Sequence, residues 1–227
     1  KIISLLILIT LFSANIQLKS QEVSRPFSIE AFGGGGFGKN FETGLVTETG
    51  DDVNLSIGGG AVGGVRLGFR FHKNIETFFS ISGVKSKLSP KLNNATGEFS
   101  KSVLNPIITY KLNFNKVHHI NLGGGLRFSL KNVVDLDASQ IEGAAHNILV
   151  YKNSVGPSAF LGYEIHFIKW WSFTISTSFY YHNYRLKELT SDGNEINVGN
   201  LDQELIEIMD NINGSGWELM IGLRYHI

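Results

Sequence analysis

A glycine-rich run at residues 33–39, Gly-Gly-Gly-Gly-Phe-Gly-Lys, is the first candidate for chemistry in this 227-residue chain. Its spacing matches the loop that surrounds nucleotide phosphates, in which two glycines flank four residues and a lysine follows. That loop also needs a serine or threonine next and then a helix, whereas Asn40 follows here and residues 41–44 lack a helical pattern. We interpret the run as extended chain whose glycines leave room for large neighbouring side chains.

Histidines are the second candidate. His118 and His119 are adjacent in a short polar connection between two apolar segments. Zinc sites in proteins use three or four protein ligands around the ion, and this pair has no further ligand beside it in the sequence. We therefore interpret both histidines as solvated turn residues.

The elements that must position these residues follow from an alternation of apolar and polar side chains. In residues 217–227 the apolar side chains fall at odd numbers, whereas Glu218, Arg224 and His226 lie between them. Successive side chains of a strand point to opposite faces, so one face is apolar and the other charged. The same pattern predicts eight strands, at residues 27–37, 55–71, 75–82, 104–114, 120–130, 155–167, 171–182 and 217–227.

Eight such strands predict an all-β fold, an eight-stranded antiparallel up-and-down transmembrane β-barrel over residues 21–227. Each run approaches the roughly 9–11 tilted residues that cross a bilayer. Short turns alternate with long polar loops at residues 39–54, 87–98, 131–150 and 183–216. Outer-membrane barrels have this arrangement, with short turns on the periplasmic side and long loops outside the cell.

Aromatic residues are predicted to form two girdles, where amphipathic rings meet the lipid–water interfaces. The short-turn girdle comprises Trp170, Trp171, Phe114, Phe71 and Tyr225, and the long-loop girdle comprises Trp217, Tyr180, Tyr181, Phe37 and Phe128.

Charged residues on the inward face are the third candidate site. They are four glutamates and four arginines, Glu30, Glu76, Glu164, Glu218, Arg66, Arg70, Arg127 and Arg224. The interior of an eight-stranded barrel is just wide enough for side chains to fill, and a buried charge is costly unless it is paired. Two interpretations remain open: an ion-pair network that closes the lumen, or a narrow gated pore in which the pairs exchange partners.

Composition and the N-terminal residues narrow the class of protein. Twenty basic residues balance twenty acidic ones, so there is no basic excess that would indicate nucleic acid. The chain has no cysteine, and no cofactor is expected. Lys1 precedes an apolar run of about a dozen residues, which is too short to span a bilayer. This run predicts a signal peptide over residues 1–20.

Residues 25–227 resemble the small eight-stranded outer-membrane barrels, such as the OmpA transmembrane domain and OmpX, and the outer-membrane β-barrel family of Bacteroidota. The sharpest local match is the C-terminal signal for the barrel-assembly machinery, a glycine with aromatic residues three and five positions later. Gly222, Tyr225 and Ile227 occupy these positions, with isoleucine where phenylalanine is usual. The resemblance implies the outer membrane of a Gram-negative bacterium, and contact with its lipid and lipopolysaccharide.

Some barrels of this kind are lipid A deacylases with a histidine and a serine two residues apart. Here Asn183 and Tyr184 follow His182, and Ser178 lies four residues before it. We therefore expect no catalytic machinery.

The last long loop has apolar residues at helical spacing: Leu201, Leu205, Ile208, Met209 and Ile212. It predicts a short helix that either docks on the barrel rim or binds an extracellular or outer-membrane protein partner or lipopolysaccharide. The expected function is a structural or surface-binding barrel in adhesion or envelope integrity. The alternatives are a component of a larger outer-membrane assembly, such as a PorT-like secretion factor, and a narrow gated pore for small solutes.

Overall fold

The computed structural model describes residues 25–200 and 209–227, and strands account for most of them. The strands are β1 (Phe27–Gly38), β2 (Asn40–Val46), β3 (Asp52–Ser56), β4 (Gly60–His72), β5 (Ile75–Ser89), β6 (Thr96–Asn113), β7 (His118–Asp137), β8 (His146–Tyr151), β9 (Ser154–Ile168), β10 (Trp171–Tyr180), β11 (Asn183–Tyr184), β12 (Leu186–Ser191), β13 (Asn194–Ile196), β14 (Ile212–Asn213) and β15 (Gly216–His226). A 3-10 turn covers Val198–Asn200. In the described part of the chain, no helix has the length and apolarity needed to cross a membrane.

Eight of these strands close into an antiparallel barrel, which confirms the predicted fold class. Its order is β1, β4, β5, β6, β7, β9, β10 and β15, and β15 pairs back onto β1. Closure leaves no free sheet edge, so the backbone groups of each barrel strand are paired on both sides. Short turns join the barrel strands at one end, which we call the short-turn end.

The alternation in the sequence sorts side chains between the two faces of the barrel. On β15, Ile221 is 56% exposed on the outer face, whereas Arg224 is 1% exposed in the lumen. Every barrel strand exposes at least one large apolar side chain on the outer face. Tyr180 departs from the predicted long-loop girdle, because it faces the lumen and is buried.

At the other end of the barrel, β5, β6 and β7 continue beyond the ring and are joined by shorter strands. The β2–β3 hairpin pairs with β5, β8 pairs with the end of β7, and β12 pairs with β8 and β13. A small ladder of β11 and β14 lies beside them. We call this assembly the cap. The segments expected to be long polar loops therefore contain strands.

The cap has a hydrophobic core of its own. Its buried members are Phe41, Val53, Leu55, Ile57, Leu88, Phe99, Val134, Leu136, Leu149, Tyr151, Tyr184, Leu186 and Leu189. These side chains come from segments distant in the sequence. Their burial makes the cap a packed unit.

Two of these core residues correct the prediction of a single strand over 55–71. Leu55 and Ile57 were expected on the outer face of that strand, but both are fully buried in the cap. The extended strand is interrupted between β3 and β4, where Gly60 has a φ of +129°. Residues other than glycine rarely adopt such a φ. The alternation is interrupted there, and the apolar side chains before the interruption face the cap core rather than the outer face of the barrel.

Two predicted segments fall wholly or partly outside the described residues. The predicted signal peptide, residues 1–20, lies wholly outside them. Of the predicted loop helix, Leu201, Leu205 and Ile208 lie outside them. Met209 packs against the cap core. Ile212 does not continue a helix, because it lies in β14 and pairs with Tyr184 of β11.

Candidate functional site

The lumen near the short-turn end holds a network of buried ion pairs centred on Glu30 and Arg224. Arg224 donates to Glu30 Oε2 from Nε at 2.9 Å and from Nη2 at 2.6 Å. Arg66 Nη1 donates to Glu30 Oε1 at 2.8 Å, and Thr174 Oγ1 donates to the same oxygen at 2.8 Å. Both oxygens of Glu30 are thus paired, as a buried carboxylate requires.

Arg224 also links this pair to two further glutamates. Its Nη1 lies 3.2 Å from Glu164 Oε2 and 3.8 Å from Glu76 Oε2. Arg70 reaches Glu76 Oε2 at 4.0 Å. Six of the eight charged residues expected in the lumen therefore lie together in one layer.

The other two, Arg127 and Glu218, form a separate pair nearer the cap. The contact is bidentate, at 2.9 Å from Arg127 Nη1 to Glu218 Oε2 and 2.5 Å from Nη2 to Oε1. The guanidinium also lies 3.9 Å from the ring centroid of Tyr180. Two parallel hydrogen bonds give such a pair a fixed geometry.

Two buried lysines belong to the lumen and were missed in the sequence. Lys111 Nζ donates to Glu164 Oε2 at 2.9 Å. Lys101 donates to the carbonyl of Ile57 and to the hydroxyl of Tyr184. Both lysines occupy inward positions of the strand alternation on β6, so the pattern that selected the arginines also selects them. With them, six cationic side chains face four carboxylates in the described lumen.

A mainly apolar layer, which also holds the buried polar side chains of Ser80 and Asn105, separates the network from the Arg127–Glu218 pair. It is built from two clusters of buried side chains, Phe32, Val62, Val84, Val103 and Met220 in one, and Phe78, Ile107 and Phe160 in the other. The guanidinium carbon of Arg66 lies 4.9 Å from the ring centroids of both Phe32 and Phe160. The cations of the network thus pack against the faces of these rings.

The remaining candidates from the sequence are the glycine-rich run, His118 and His182. Residues 33–38 belong to β1 and a strand follows, so the helix that a phosphate-binding loop needs is missing at this point. His118 is half-buried and contacts the hydroxyl of Tyr163. His182 is 1% exposed and its Nδ1 lies 3.1 Å from Ser154 Oγ.

The residues of the C-terminal signal lie on both faces of β15. Tyr225 is on the outer face, 4.9 Å from Trp171 between ring centroids, and Ile227 is half exposed. Gly222 faces the lumen, where a Cβ would lie 2.7 Å from Glu30 Oε1 and from Thr174 Oγ1. Glycine at this position therefore leaves the space that the Glu30 carboxylate fills. Recognition by the assembly machinery stays a prediction.

The outer surface of the cap carries a cavity of about 460 Å³. Its lining includes Lys87, Lys91, Asp135, Asp137 and His146. His146 Nε2 lies 2.8 Å from Asp135 Oδ1, and this hydrogen bond raises the pKa of the imidazole. Hydrogen bonds from Ser139 lower the pKa of the Asp137 carboxyl. The cavity therefore presents both signs of charge to solvent.

Neither a protein-family model nor a curated protein sequence matches this chain. The fold is similar to the outer membrane protein OprG from Pseudomonas aeruginosa, with 10% identity, a TM-score of 0.55, and coverage of 89% of this chain and 96% of that one. It is similar to a major outer membrane protein from Thermus thermophilus, with 10% identity, a TM-score of 0.54, and coverage of 88% and 99%. Neisserial surface protein A gives 12% identity, a TM-score of 0.52, and coverage of 89% and 97%. At these identities the likeness concerns the fold.

Proposed function

We propose that this chain is a non-enzymatic integral protein of the outer membrane of a Gram-negative bacterium. The observation that carries this proposal is the apolar outer face, to which each of the eight barrel strands contributes. Such a face is costly in water, and a closed barrel is one of the two structures that can cross a bilayer with its backbone satisfied. The similarity to solved outer-membrane barrels agrees with it.

Aromatic contacts at both ends of the barrel support the same location. Trp170 and Trp171 lie 6.2 Å and 4.9 Å from Tyr225 at the short-turn end. Trp217 lies 4.9 Å from Phe37 and 6.3 Å from Phe179 at the cap end. Rings of this kind concentrate at membrane–water interfaces. The membrane would then fill the space between the two clusters.

We infer that the barrel anchors the cap, and that the cap is the binding surface of the protein. A packed core holds the cap strands in fixed positions, so its cavity and its charged rim are presented to the medium in a defined geometry. Preorganised surfaces lose less conformational entropy when they bind. This favours surface binding in adhesion or envelope integrity. A role in a larger assembly, such as that of a PorT-like secretion factor, stays a prediction.

We infer further that the lumen is closed rather than a gated pore. Side chains fill it in three successive layers, the ion network, the apolar layer, and the Arg127–Glu218 pair. A gate would require charges that change partners, yet Arg224 and Glu30 are about 1% exposed and joined by two hydrogen bonds. Breaking such a buried pair is strongly unfavourable.

The absence of cysteine from the sequence allows a sharp test of location and orientation. Thr49 lies at the tip of the β2–β3 hairpin in the cap, and Lys116 lies in a turn at the short-turn end. In intact cells, a membrane-impermeant maleimide should label the variant Thr49→Cys. It should label Lys116→Cys only after the outer membrane is permeabilised. The reverse pattern would contradict the proposed orientation, and equal labelling of both would contradict the membrane location.

Binding through the cap is tested with the same chemistry. A photoactivatable maleimide is attached to Lys91→Cys in the cap cavity or to Lys116→Cys as the matched control, and whole cells are irradiated. A discrete adduct from position 91 and none from position 116 is the expected result. Adducts from position 116 alone would indicate a binding surface on the periplasmic side and would contradict the proposal.

A further inference from the structure

Three potential metal ligands converge in the lumen at the short-turn end. Glu164 and His166 lie on β9, and His226 lies on β15. Glu164 Oε1 is 2.9 Å from His166 Nε2 and 3.0 Å from His226 Nε2. One ligand atom from each residue lies within 4.8 Å of the other two. We propose that these three side chains bind a divalent transition-metal ion of the zinc class.

Two of the three spacings between these atoms are close to those of a coordination polyhedron. Zinc lies about 2.0–2.2 Å from nitrogen and oxygen ligands, so neighbouring ligands in a tetrahedral site are about 3.3–3.6 Å apart. The two measured separations are a few tenths of an ångström shorter. The two imidazole nitrogens lie within 4.8 Å of each other, so rotations of both imidazoles would be needed to seat an ion.

Hydrogen bonding around Glu164 Oε1 is crowded without an ion. Ser172 Oγ lies 2.9 Å from this oxygen, in addition to the two imidazole nitrogens. Ser172 Oγ is also 2.9 Å from His226 Nε2. A carboxylate oxygen has about two lone-pair sites, yet three groups approach it here. A cation between the carboxylate and the two imidazoles would replace two competing donors with one bond from each ligand.

Contacts of the other oxygen of Glu164, Oε2, orient the carboxylate. Lys111 Nζ and Arg224 Nη1 lie 2.9 Å and 3.2 Å from Oε2. They fix the carboxylate so that Oε1 is left facing the histidines. Their positive charges also repel a metal ion and lower its affinity. This arrangement therefore favours ligation through one oxygen.

The site is open to the periplasmic side of the proposed membrane. The side chain of His166 is 23% exposed, and its backbone N–H bonds the carbonyl of Val117 in the adjoining turn. Buried His119 packs edge-on against His166, with 4.8 Å between the ring centroids. This contact positions the His166 ring. An ion can thus arrive through the short-turn end without crossing the lumen.

The donor set selects the kind of ion. Two imidazole nitrogens and one carboxylate oxygen suit zinc, nickel or copper, whereas calcium and magnesium take oxygen ligands. A bound ion would join β9 to β15, the two strands that flank β10. We therefore expect the ion to stabilise the barrel at its short-turn end and to raise its unfolding temperature.

The test is a titration of the refolded full chain in detergent with Co²⁺, followed by visible absorption and then by Zn²⁺ competition. The purification tag must not contain histidine. We expect one equivalent of Co²⁺ to bind, Zn²⁺ to displace it, and a large excess of Mg²⁺ to leave it in place. His166→Gln and His226→Gln should each weaken binding at least tenfold. His118→Gln, which changes a half-buried histidine at the same end, is the matched control and should bind as the unaltered chain does.

Three results would overturn the proposal: no equivalent bound by the unaltered chain, binding that survives in the double variant H166Q/H226Q, or loss of binding in H118Q. The mobility of unheated samples in SDS gels checks that each variant is folded. If the histidine variants do not fold, Cu²⁺ bound to the unaltered chain is measured by electron paramagnetic resonance. Hyperfine splitting from two nitrogens supports the site, and its absence refutes it.

Discussion

Arg224 is the residue on which the lumen network depends. Its guanidinium contacts Glu30, Glu164 and Glu76, and 1% of its side chain is exposed. A cation that neutralises several buried carboxylates cannot be removed without leaving charges in a medium that solvates them poorly. Its position on β15 also ties that strand to charges on β1, β5 and β9.

We therefore predict that Arg224→Met destabilises the protein by about 3–5 kcal/mol, because both hydrogen-bond donors to Glu30 Oε2 come from Arg224 and their loss leaves this buried oxygen without a partner. Lys85→Met is the control, since Lys85 and Glu98 form an exposed pair, and exposed pairs contribute about 0–1 kcal/mol. Urea unfolding in lipid vesicles measures both. Equal losses in the two variants would contradict the central place of Arg224.

His146 is the titratable residue of the cap cavity whose charge we expect to follow pH. Its hydrogen bond to Asp135 raises its pKa, so the folded protein binds this proton more tightly than the unfolded chain. The stabilisation of the folded state by protonated His146 is fully present below about pH 6.5, the ordinary pKa of histidine. It is lost as pH rises through the higher pKa of His146 in the folded state. Both side chains are exposed, so the effect on the free energy of unfolding is small.

Asp135→Asn should therefore lower the pKa of His146, as measured by NMR of the imidazole across a pH titration. Asp51→Asn, in the distant β2–β3 hairpin, is the control and should leave that pKa unchanged. If Asp135→Asn left the pKa in place, the hydrogen bond would not be its cause.

At the scale of elements, the cap is the feature that the sequence did not predict. Its core joins side chains of β2, β3, β8 and β12, which come from segments far apart in the chain. Alternation within one segment tells which face is apolar, but not which distant segment covers it. The sequence therefore predicts long polar loops for these segments, because it does not show which cap strands pair with one another.

The barrel strands could be predicted because their two faces differ in polarity. Apolar side chains on the outer face alternate with mainly polar side chains in the lumen, so the period of two persists over whole strands. The lumen arginines and glutamates followed from this period. Lys101 and Lys111 followed from it as well and were overlooked. His119 was assigned to a turn because the start of β7 lies two residues before the apolar run.

We predict that Leu55→Ala destabilises the cap selectively. Leu55 is fully buried in the cap core, and such truncations cost about 2–5 kcal/mol. Hydrogen exchange should accelerate in β2 and β3 while the barrel strands stay protected. Leu67→Ala, half exposed on the outer face of β4, is the control and should leave the cap protected. Unchanged exchange in the cap would mean that it is not a cooperative packed unit.

For the whole molecule, the order of layers along the barrel axis bears on whether ions can pass through the lumen. Charges at the short-turn end, an apolar layer in the middle, and an ion pair below the cap occupy the lumen in turn. Ions would have to pass between buried, mainly apolar side chains that can replace little of their hydration, which is unfavourable. This order is the basis of our proposal that the barrel is an anchor for the cap rather than a path through the membrane.

Planar-bilayer recording of the refolded protein tests this central claim most directly. Insertion is verified by protease protection of the same vesicles before they are fused. We predict no stable single-channel steps from the unaltered chain, and measurable conductance from the double variant Phe78→Ala/Phe160→Ala, which removes two of the three phenyl rings from the apolar layer. Reproducible steps of uniform size from the unaltered chain would contradict the closed lumen.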